Sequence, residues 1–182
     1  MQTKRVILTY QDYLELPDDG RRYEIHQGEL SVAPAPGTAH QRSSGNLYSV
    51  LRQHVKSHHL GELLYAPVDC ILDDATIVQP DLIFMPNDRL ALISERGIEG
   101  PPTLVVEILS RYSIRIDRVR KLQLYAHYGV AYYWIVDNEV RTIEAFRLVD
   151  GRYDPAGRVT ESEPTSLPPF PDLVIAPESI WY

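Results

Sequence analysis

The chain has 182 residues, of which 44% are hydrophobic and 24% are charged, as in a folded globular protein rather than a disordered one. Its 25 acidic residues outnumber its 18 basic residues, and the net charge of −7 opposes indiscriminate binding to nucleic acid or to anionic membranes. The single cysteine, Cys70, excludes an internal disulfide and a cysteine-rich zinc module, which suits a reducing cytoplasm.

The sequence contains no pattern typical of export or of a membrane span. Lys4 and Arg5 precede only a short apolar stretch, whereas a signal-peptide core needs about 7–15 apolar residues. No apolar run approaches the roughly 20 residues of a spanning helix. We therefore expect a cytoplasmic protein that forms one domain over residues 1–182, with its core at about 10–150 and a proline-rich arm at 151–182. This arm is expected to pack on the domain or on a partner subunit.

A short helix and a β-hairpin are predicted near the amino terminus. Thr9 is a suitable N-cap for a helix over residues 10–16. Residues 23–32 predict two strands joined at Gly28, because glycine can adopt the positive φ that a tight turn requires. Glu24 lies inside the first of these strands.

A proline-containing loop and a long helix follow. Residues 33–37, with the sequence APAPG, cannot form a regular element because proline lacks a backbone donor and fixes φ. Thr38 is a good N-cap for an amphipathic helix that extends to about His58. His40 and Gln41 lie in the first turn of this helix.

Two predicted strands each place one acid among apolar residues. Asp81 is the acid of residues 77–84, and Glu107 is the acid of residues 103–109. A lone carboxylate in such a setting is costly unless a partner binds it. Mg²⁺ takes oxygen ligands and often only one or two protein carboxylates. The two acids, with the backbone carbonyl of Ile108, would therefore be a sufficient set for a divalent cation.

The remaining patterns predict a mixed sheet with helices packed on it. Residues 63–72 predict a strand or a strand pair bent at Pro67. Residues 116–129 show helical spacing, and two runs rich in aromatic and β-branched residues, 131–137 and 142–148, predict paired strands.

Lys121 is the candidate catalytic cation. The spacing of Ile116, Val119 and Leu122 predicts the face of the helix that packs on the sheet, with Lys121 at its edge. From that edge its long side chain can reach the end of the Glu107 strand. A lysine beside two carboxylates and a metal can orient a water molecule and offset negative charge.

Five basic residues and one acid lie between residues 111 and 121. Arg115 and Arg118 belong to this basic segment. Such a run is commonly a solvated helix face, but in an acidic protein it is the best candidate surface for contacting phosphates.

Several motifs occur in a defined order along the chain. They are YEIHQGEL at 23–30, APAP at 33–36 with His40 and Gln41 after it, APVD at 66–69, QPDL at 79–82, LVVEILS at 104–110 and KLQLY at 121–125. Together they resemble the Uma-two family of restriction-endonuclease-like proteins, of DUF820 type, over residues 10–153.

The resemblance implies a PD-(D/E)XK nuclease: an α/β protein whose restriction-endonuclease-like mixed β-sheet is flanked by helices, with an amino-terminal hairpin and a proline-rich carboxy-terminal arm. It implies a metal-dependent DNA endonuclease that uses Mg²⁺ or Mn²⁺, with Asp81 and Glu107 as the two acids. Glu24 becomes a candidate third acid at the metal site, and His40 and Gln41 become candidate ligand-orienting residues.

Two positions depart from the family pattern. Leu109 stands where the motif has its lysine, so Lys121 is our proposed substitute. Arg111 stands where relatives tend to carry proline after the serine of this motif.

Other interpretations remain open at the level of sequence. Asp81 and Glu107 can be structural acids paired with arginine, and Lys121 and Glu24 can be surface or cross-strand charges. The corresponding alternative function is a non-catalytic nuclease-fold protein that acts in oligomerisation or nucleic-acid binding. For an enzyme that cuts both DNA strands with one small domain, a twofold homodimer is expected.

Overall fold

A computed structural model gives the positions of residues 6–110 and 116–181. Within these ranges the α-helices are α1 (Tyr10–Leu14), α2 (Thr38–Ser57), α3 (Leu122–His127) and α4 (Glu178–Trp181). The strands are β1 (Arg22–His26), β2 (Glu29–Ala33), β3 (Gly61–Tyr65), β4 (Cys70–Asp73), β5 (Thr76–Val78), β6 (Leu82–Pro86), β7 (Ile93–Ser94), β8 (Gly97–Glu99), β9 (Leu104–Ile108), β10 (Tyr132–Asp137), β11 (Thr142–Val149), β12 (Arg152–Val159), β13 (Thr165–Leu167) and β14 (Phe170–Ile175).

The strands form two large mixed sheets. The first has the order β2-β1-β5-β4-β8-β7, and the second has the order β12-β11-β10-β9-β6-β3. Strands β9 and β10 run parallel, whereas β6 is antiparallel to β9 and β11 is antiparallel to β10. None of the helices in the described part of the chain has both the length and the apolar composition needed to cross a membrane.

The second sheet is buried on both faces, because successive side chains of a strand point in opposite directions. Along β9, Leu104 and Val106 pack in one apolar cluster with α2, and Val105 packs in another with α3. Burial on both faces explains why β6, β9 and β10 are nearly continuous apolar runs in the sequence. It also means that an acid on β9 has to lie inside the protein.

The elements around the site follow the sequence prediction closely. The hairpin β1–β2 turns at Gln27 and Gly28, both with positive φ. The APAPG segment is a loop, and α2 begins at Thr38. The run at 63–72 contains two strands, β3 and β4, which belong to different sheets, rather than one long strand.

The predicted arm at residues 151–182 packs on the domain and contributes to its core. It begins with β12, which pairs with β11 at the edge of the second sheet. The β13–β14 pair and α4 then cover the face that α2 also covers, and Phe170 and Ile180 are buried there.

Replacing Phe170 by alanine tests this contribution. Its ring, 2% exposed, meets those of Phe84 and Trp134 at centroid separations of 5.0 and 6.2 Å. We expect Phe170→Ala to lower the free energy of unfolding by about 3–5 kcal/mol in urea denaturation. The matched change Val174→Ala, on the same strand at a 62% exposed position, should cost less than about 0.5 kcal/mol. Similar costs for the two variants would mean that the arm is not part of the core.

Candidate functional site

The strand register brings the two predicted acids together. Leu82 of β6 pairs with Val106 of β9, so the next position in the same register sets Asp81 opposite Glu107. Paired residues of neighbouring strands project to the same face of a sheet. Both acids therefore point towards α3, and each is only 2% exposed.

Asp81 is held by three donors. Arg22 Nη1 lies 3.0 Å from its Oδ1, while His40 Nε2 and the backbone N–H of Ile108 lie 3.1 and 2.8 Å from its Oδ2. Burial by itself raises the pKa of this carboxyl. The His40, Arg22 and Ile108 contacts outweigh burial and hold the pKa of Asp81 below its usual range.

Glu107 is held from the helical side. Lys121 Nζ lies 2.9 Å from Glu107 Oε1, and the Tyr125 hydroxyl donates to the same oxygen at 2.6 Å. Lys121 and Tyr125 lie four residues apart, about one helical turn, and so present the same face to β9. Burial and the nearby carboxylates of Glu107 and Glu24 raise the pKa of the Tyr125 hydroxyl, which keeps it a donor.

Glu24 completes the cluster from the other sheet. Its Oε1 accepts hydrogen bonds from Lys121 Nζ at 3.1 Å and from the backbone N–H of Gln79 at 2.8 Å. Its Oε2 lies 2.9 Å from His26 Nε2. Burial raises the pKa of Glu24, but the Lys121 ammonium and His26 outweigh it and hold that pKa well below its usual range. Lys121 thus bridges two carboxylates.

The helix that carries Lys121 is oriented differently from the prediction. Val119 was expected to pack on the sheet but is 55% exposed, whereas Lys121 is 4% exposed. The segment Ile116–Lys121 is π-helical and only Leu122–His127 is α-helical. A π-helical turn contains more residues than an α-helical one, so it shifts the buried face around the axis. Lys121 therefore points inward, and the two carboxylates compensate its charge.

These residues lie at the base of a cavity of about 600 Å³. Arg22, Glu24, Asp81, Glu107 and Lys121 form its polar floor. One side is lined by residues 32–37 and Ala39, which we call the proline–alanine wall. Residues 137–139, which include two acids, also line the cavity. A ligand would thus meet charge at the floor and small apolar side chains at one wall.

The donor set of the floor suits a hard divalent cation. The described residues include no group of three or more His, Cys, Asp or Glu side chains arranged to hold a metal ion. Mg²⁺, however, needs only one or two carboxylates when waters complete its shell. With neutral histidines, the three carboxylates of Glu24, Asp81 and Glu107 exceed the two cations of Arg22 and Lys121 by one charge. A metal would have to compete with Arg22 and Lys121 for carboxylate oxygens.

The other residues predicted to contact substrate do not line the cavity in the described part of the chain. Gln41 is exposed in the first turn of α2, outside the residues that line the cavity. Arg118 lies 2.6 Å from Glu144 and 3.3 Å from Asp137, in two ion pairs. Arg115 lies outside the described residues.

Sequence reasoning did not select Arg22, His26 or Tyr125. The signal for the first two was present, because Arg22, Glu24 and His26 are alternate residues of one strand and must share a face. The signal for Tyr125 was its spacing of four residues from Lys121. Among the described residues, His26 Nδ1 and His40 Nδ1 have no hydrogen-bond partner, although both are buried.

The lowered carboxyl pKa values predict a pH dependence of stability. A carboxylate whose folded pKa is depressed stabilises the fold above its unfolded pKa, and this contribution is lost as pH falls through the folded value. The ordinary values are 4.5 for Glu24 and 3.8 for Asp81. We therefore expect the free energy of unfolding to be constant above about pH 5 and to fall below pH 4, by up to about 1.4 kcal/mol per pH unit for each carboxylate.

Measuring urea denaturation at a series of pH values, for the parent and for Glu24→Gln, tests this expectation. The variant lacks one titrating group, so its stability should decline less steeply in acid. Asp88→Asn, at an exposed position away from the site, should retain the parent slope. An unchanged slope in Glu24→Gln would contradict the assignment.

Comparison with known proteins agrees with this architecture. The sequence model of the Uma2 family, described as "Putative restriction endonuclease", matches residues 10–178. The fold is similar to that in the crystal structure of a "putative nuclease belonging to DUF820" from Anabaena variabilis ATCC 29413. The TM-score is 0.78 at 18% identity, over 96% of this chain and 97% of the other. Comparison with curated proteins gives no significant match.

The match confirms the family that the motifs indicated, and the structural likeness confirms the restriction-endonuclease-like fold. The family match extends well beyond residue 153, through most of the predicted arm, to residue 178.

Proposed function

We propose that this protein, which belongs to the Uma2 family of restriction-endonuclease-like proteins, is a metal-dependent endonuclease that hydrolyses DNA phosphodiester bonds. The observation that carries the proposal is the grouping of Glu24, Asp81, Glu107 and Lys121 on the floor of one cavity. Two carboxylates and a cation are what phosphodiester hydrolysis needs from a protein, apart from the metal. Four elements from two sheets and a helix deliver these side chains to one place.

Asp81 and Glu107, with the backbone carbonyl of Ile108, would hold Mg²⁺ or Mn²⁺. When bound, such an ion supplies Lewis acidity and a water of lowered pKa. The two carboxylates supply charge, and their burial excludes bulk water that would otherwise screen it. Tyr125 fixes the position of Glu107 through the 2.6 Å hydrogen bond.

Lys121 would act as the catalytic cation. Its ammonium has three donors and can orient the attacking water while offsetting charge on the phosphate. The Lys121 ammonium lies 3.1 Å from the Glu24 carboxylate. This contact fixes the position of the lysine before substrate binds. The attack is in line with the leaving oxygen, as in other phosphoryl transfers.

Arg22 and His40 would change partner when substrate binds. Both contact Asp81 in the structure, and a cation bound at Asp81 would compete with them for its carboxylate oxygens. The guanidinium is then available to a phosphate, to which arginine binds in bidentate fashion. We place His40 at the phosphate as well, with Gln41, Arg115 and Arg118 as contacts to DNA outside the cavity.

We further infer a cytoplasmic homodimer. Cys70 is buried and unpaired, which is compatible with a reducing compartment. Two copies related by a twofold axis can each act on one strand of DNA.

Incubating the purified protein with labelled DNA and Mg²⁺, Mn²⁺, Ca²⁺ or EDTA tests the proposal. We expect product with Mg²⁺ or Mn²⁺ and none with EDTA. Cleavage that survives EDTA would exclude a metal-dependent mechanism. If the double variant Asp81→Asn/Glu107→Gln cleaves DNA as fast as the parent protein, the activity belongs to a contaminant.

One observation favours a second candidate, a non-catalytic nuclease-fold protein that acts in oligomerisation or nucleic-acid binding. Each acid already has a cationic partner: Arg22 for Asp81, and Lys121 for Glu107. Ion pairs of this kind can maintain a fold without any metal. DNA binding or self-association without cleavage in any metal would support this candidate.

A further inference from the structure

The depth of the floor restricts the form of DNA that can reach it, and this inference rests on the proposed function. Asp81 and Glu107 are 2% exposed and Lys121 is 4% exposed, so a scissile phosphate has to enter the cavity. A phosphate in a base-paired duplex lies on a stiff rod with a persistence length of about 50 nm. Such a rod cannot bend locally into a cavity of about 600 Å³.

The cavity has the size and lining for a small part of one strand. Cavities of roughly 300–1,000 Å³ hold single small-molecule ligands. The proline–alanine wall presents apolar surface with no charged side chain, and it faces the same space as the polar floor. Apolar side chains are suitable contacts for the faces of unpaired bases, and base pairing hides those faces in a duplex.

In the described part of the basic segment, residues 116–121, the arginines near the cavity are already engaged by acids. Binding a duplex depends on several lysine and arginine contacts to its phosphates. Of the basic segment, Arg118 is paired with Asp137 and Glu144, and Arg120 is paired with Glu29. The lining of the cavity also includes Asp137 and Glu139. These acids repel the phosphates of the second strand of a duplex.

We infer that the cavity accepts a single unpaired strand, so that the protein acts on single-stranded DNA or on unpaired segments in preference to intact duplex. The scissile phosphate lies on the floor, and the adjacent sugar or base lies on the proline–alanine wall.

The test compares three labelled substrates of one sequence: a single strand, a fully paired duplex and a duplex with an internal unpaired segment. Cleavage is measured with Mg²⁺ and with Mn²⁺. Opening one base-pair step should disfavour the duplex by about tenfold, so we expect kcat/KM to be at least about tenfold higher for the single strand and for cuts inside the unpaired segment. Equal or faster cleavage of the paired duplex would overturn the inference.

If nothing is cleaved, the proposed endonuclease activity is wrong, but the single-strand inference can still be tested by a binding measurement. Fluorescence anisotropy with the single strand and the duplex, in Ca²⁺, should show tighter binding of the single strand. Equal affinity, a preference for duplex or binding of neither substrate would overturn the inference.

Ala35→Glu tests the wall itself. Ala35 is an exposed residue of the proline–alanine wall, and a carboxylate there should repel the strand and raise KM by about tenfold with little change in kcat. The matched change Ala91→Glu adds the same charge at an exposed position outside the cavity, and it should leave both constants unchanged. Equal kinetics for the two variants would remove the wall from substrate binding.

Discussion

Asp81→Asn and Glu107→Gln are each expected to abolish metal-dependent cleavage. Each substitution removes a charged oxygen ligand and nearly preserves volume. Loss of residues that only support metal ligands costs about 10–100-fold, so loss of a ligand should cost at least about a hundredfold in turnover. The measurement is kcat with Mg²⁺ and Mn²⁺, together with metal affinity by calorimetry. Parent-like activity in both variants would end this assignment of the site.

The same substitutions should also lower stability, and this effect must be separated from catalysis. Asp81→Asn leaves Arg22 without its carboxylate partner, and breaking a buried ion pair costs about 3–5 kcal/mol. Circular dichroism and urea denaturation will show whether the variants remain folded at the assay temperature. Asp172→Asn and Glu62→Gln, at exposed positions away from the cavity, are the matched controls and should retain parent activity.

The two acids could be predicted from the sequence because each interrupts an apolar run. Strands buried on both faces tolerate few charges, so one acid among apolar neighbours marks a position with a partner. The sequence could not give the partner's identity. Arg22 meets Asp81 across 59 residues of sequence, and that contact depends on how β1 of the first sheet meets the end of β6.

The spacing of apolar residues did not predict which face of the Lys121 helix is buried. Ile116, Val119 and Leu122 have α-helical spacing, so the sequence predicted a buried face with Lys121 at its edge and its ammonium near Glu107, where the structure has it. The structure instead has a π-helical segment over Ile116–Lys121, with Val119 exposed and Lys121 buried. The energy that decides this orientation lies in the contacts of Lys121 with Glu24 and Glu107, which come from two other elements. Local spacing does not contain that information.

The carboxy-terminal segment shows the same limit. Its prolines predicted an arm, since proline cannot donate to a sheet ladder and disfavours regular strands. The segment nevertheless forms β12 and places Phe170 against Trp134, whose indole N–H donates to the Pro168 carbonyl at 2.8 Å. Residues 172–175, with the sequence DLVI, are an apolar run in this segment, but the sequence does not contain the partners against which Ile175 is buried.

Lys121→Met is expected to reduce turnover by about a hundredfold or more while metal still binds. The methionine keeps the apolar stem and deletes the ammonium that lies 2.9 Å from Glu107 and 3.1 Å from Glu24. Proton-transfer and water-orienting groups contribute about 10²–10⁴ to rate, so the loss should appear in kcat rather than in KM. Metal affinity, measured by calorimetry, should be retained or should rise, because a competing cation has been removed from Glu107.

The variant also leaves two buried carboxylates without their shared cation, so a folding defect has to be distinguished from a catalytic one. Lys121→Arg restores the charge but not the compact ammonium geometry, and it should recover stability more than turnover. Lys56→Met, at an exposed position on α2, makes the same chemical change away from the site and should have no effect on activity. If Lys121→Met is folded and turns over like the parent, Lys121 is a structural cation of this fold and the site has another catalytic group. If turnover is lost in both Lys121 variants while stability returns in Lys121→Arg, Lys121 is the catalytic cation of this site.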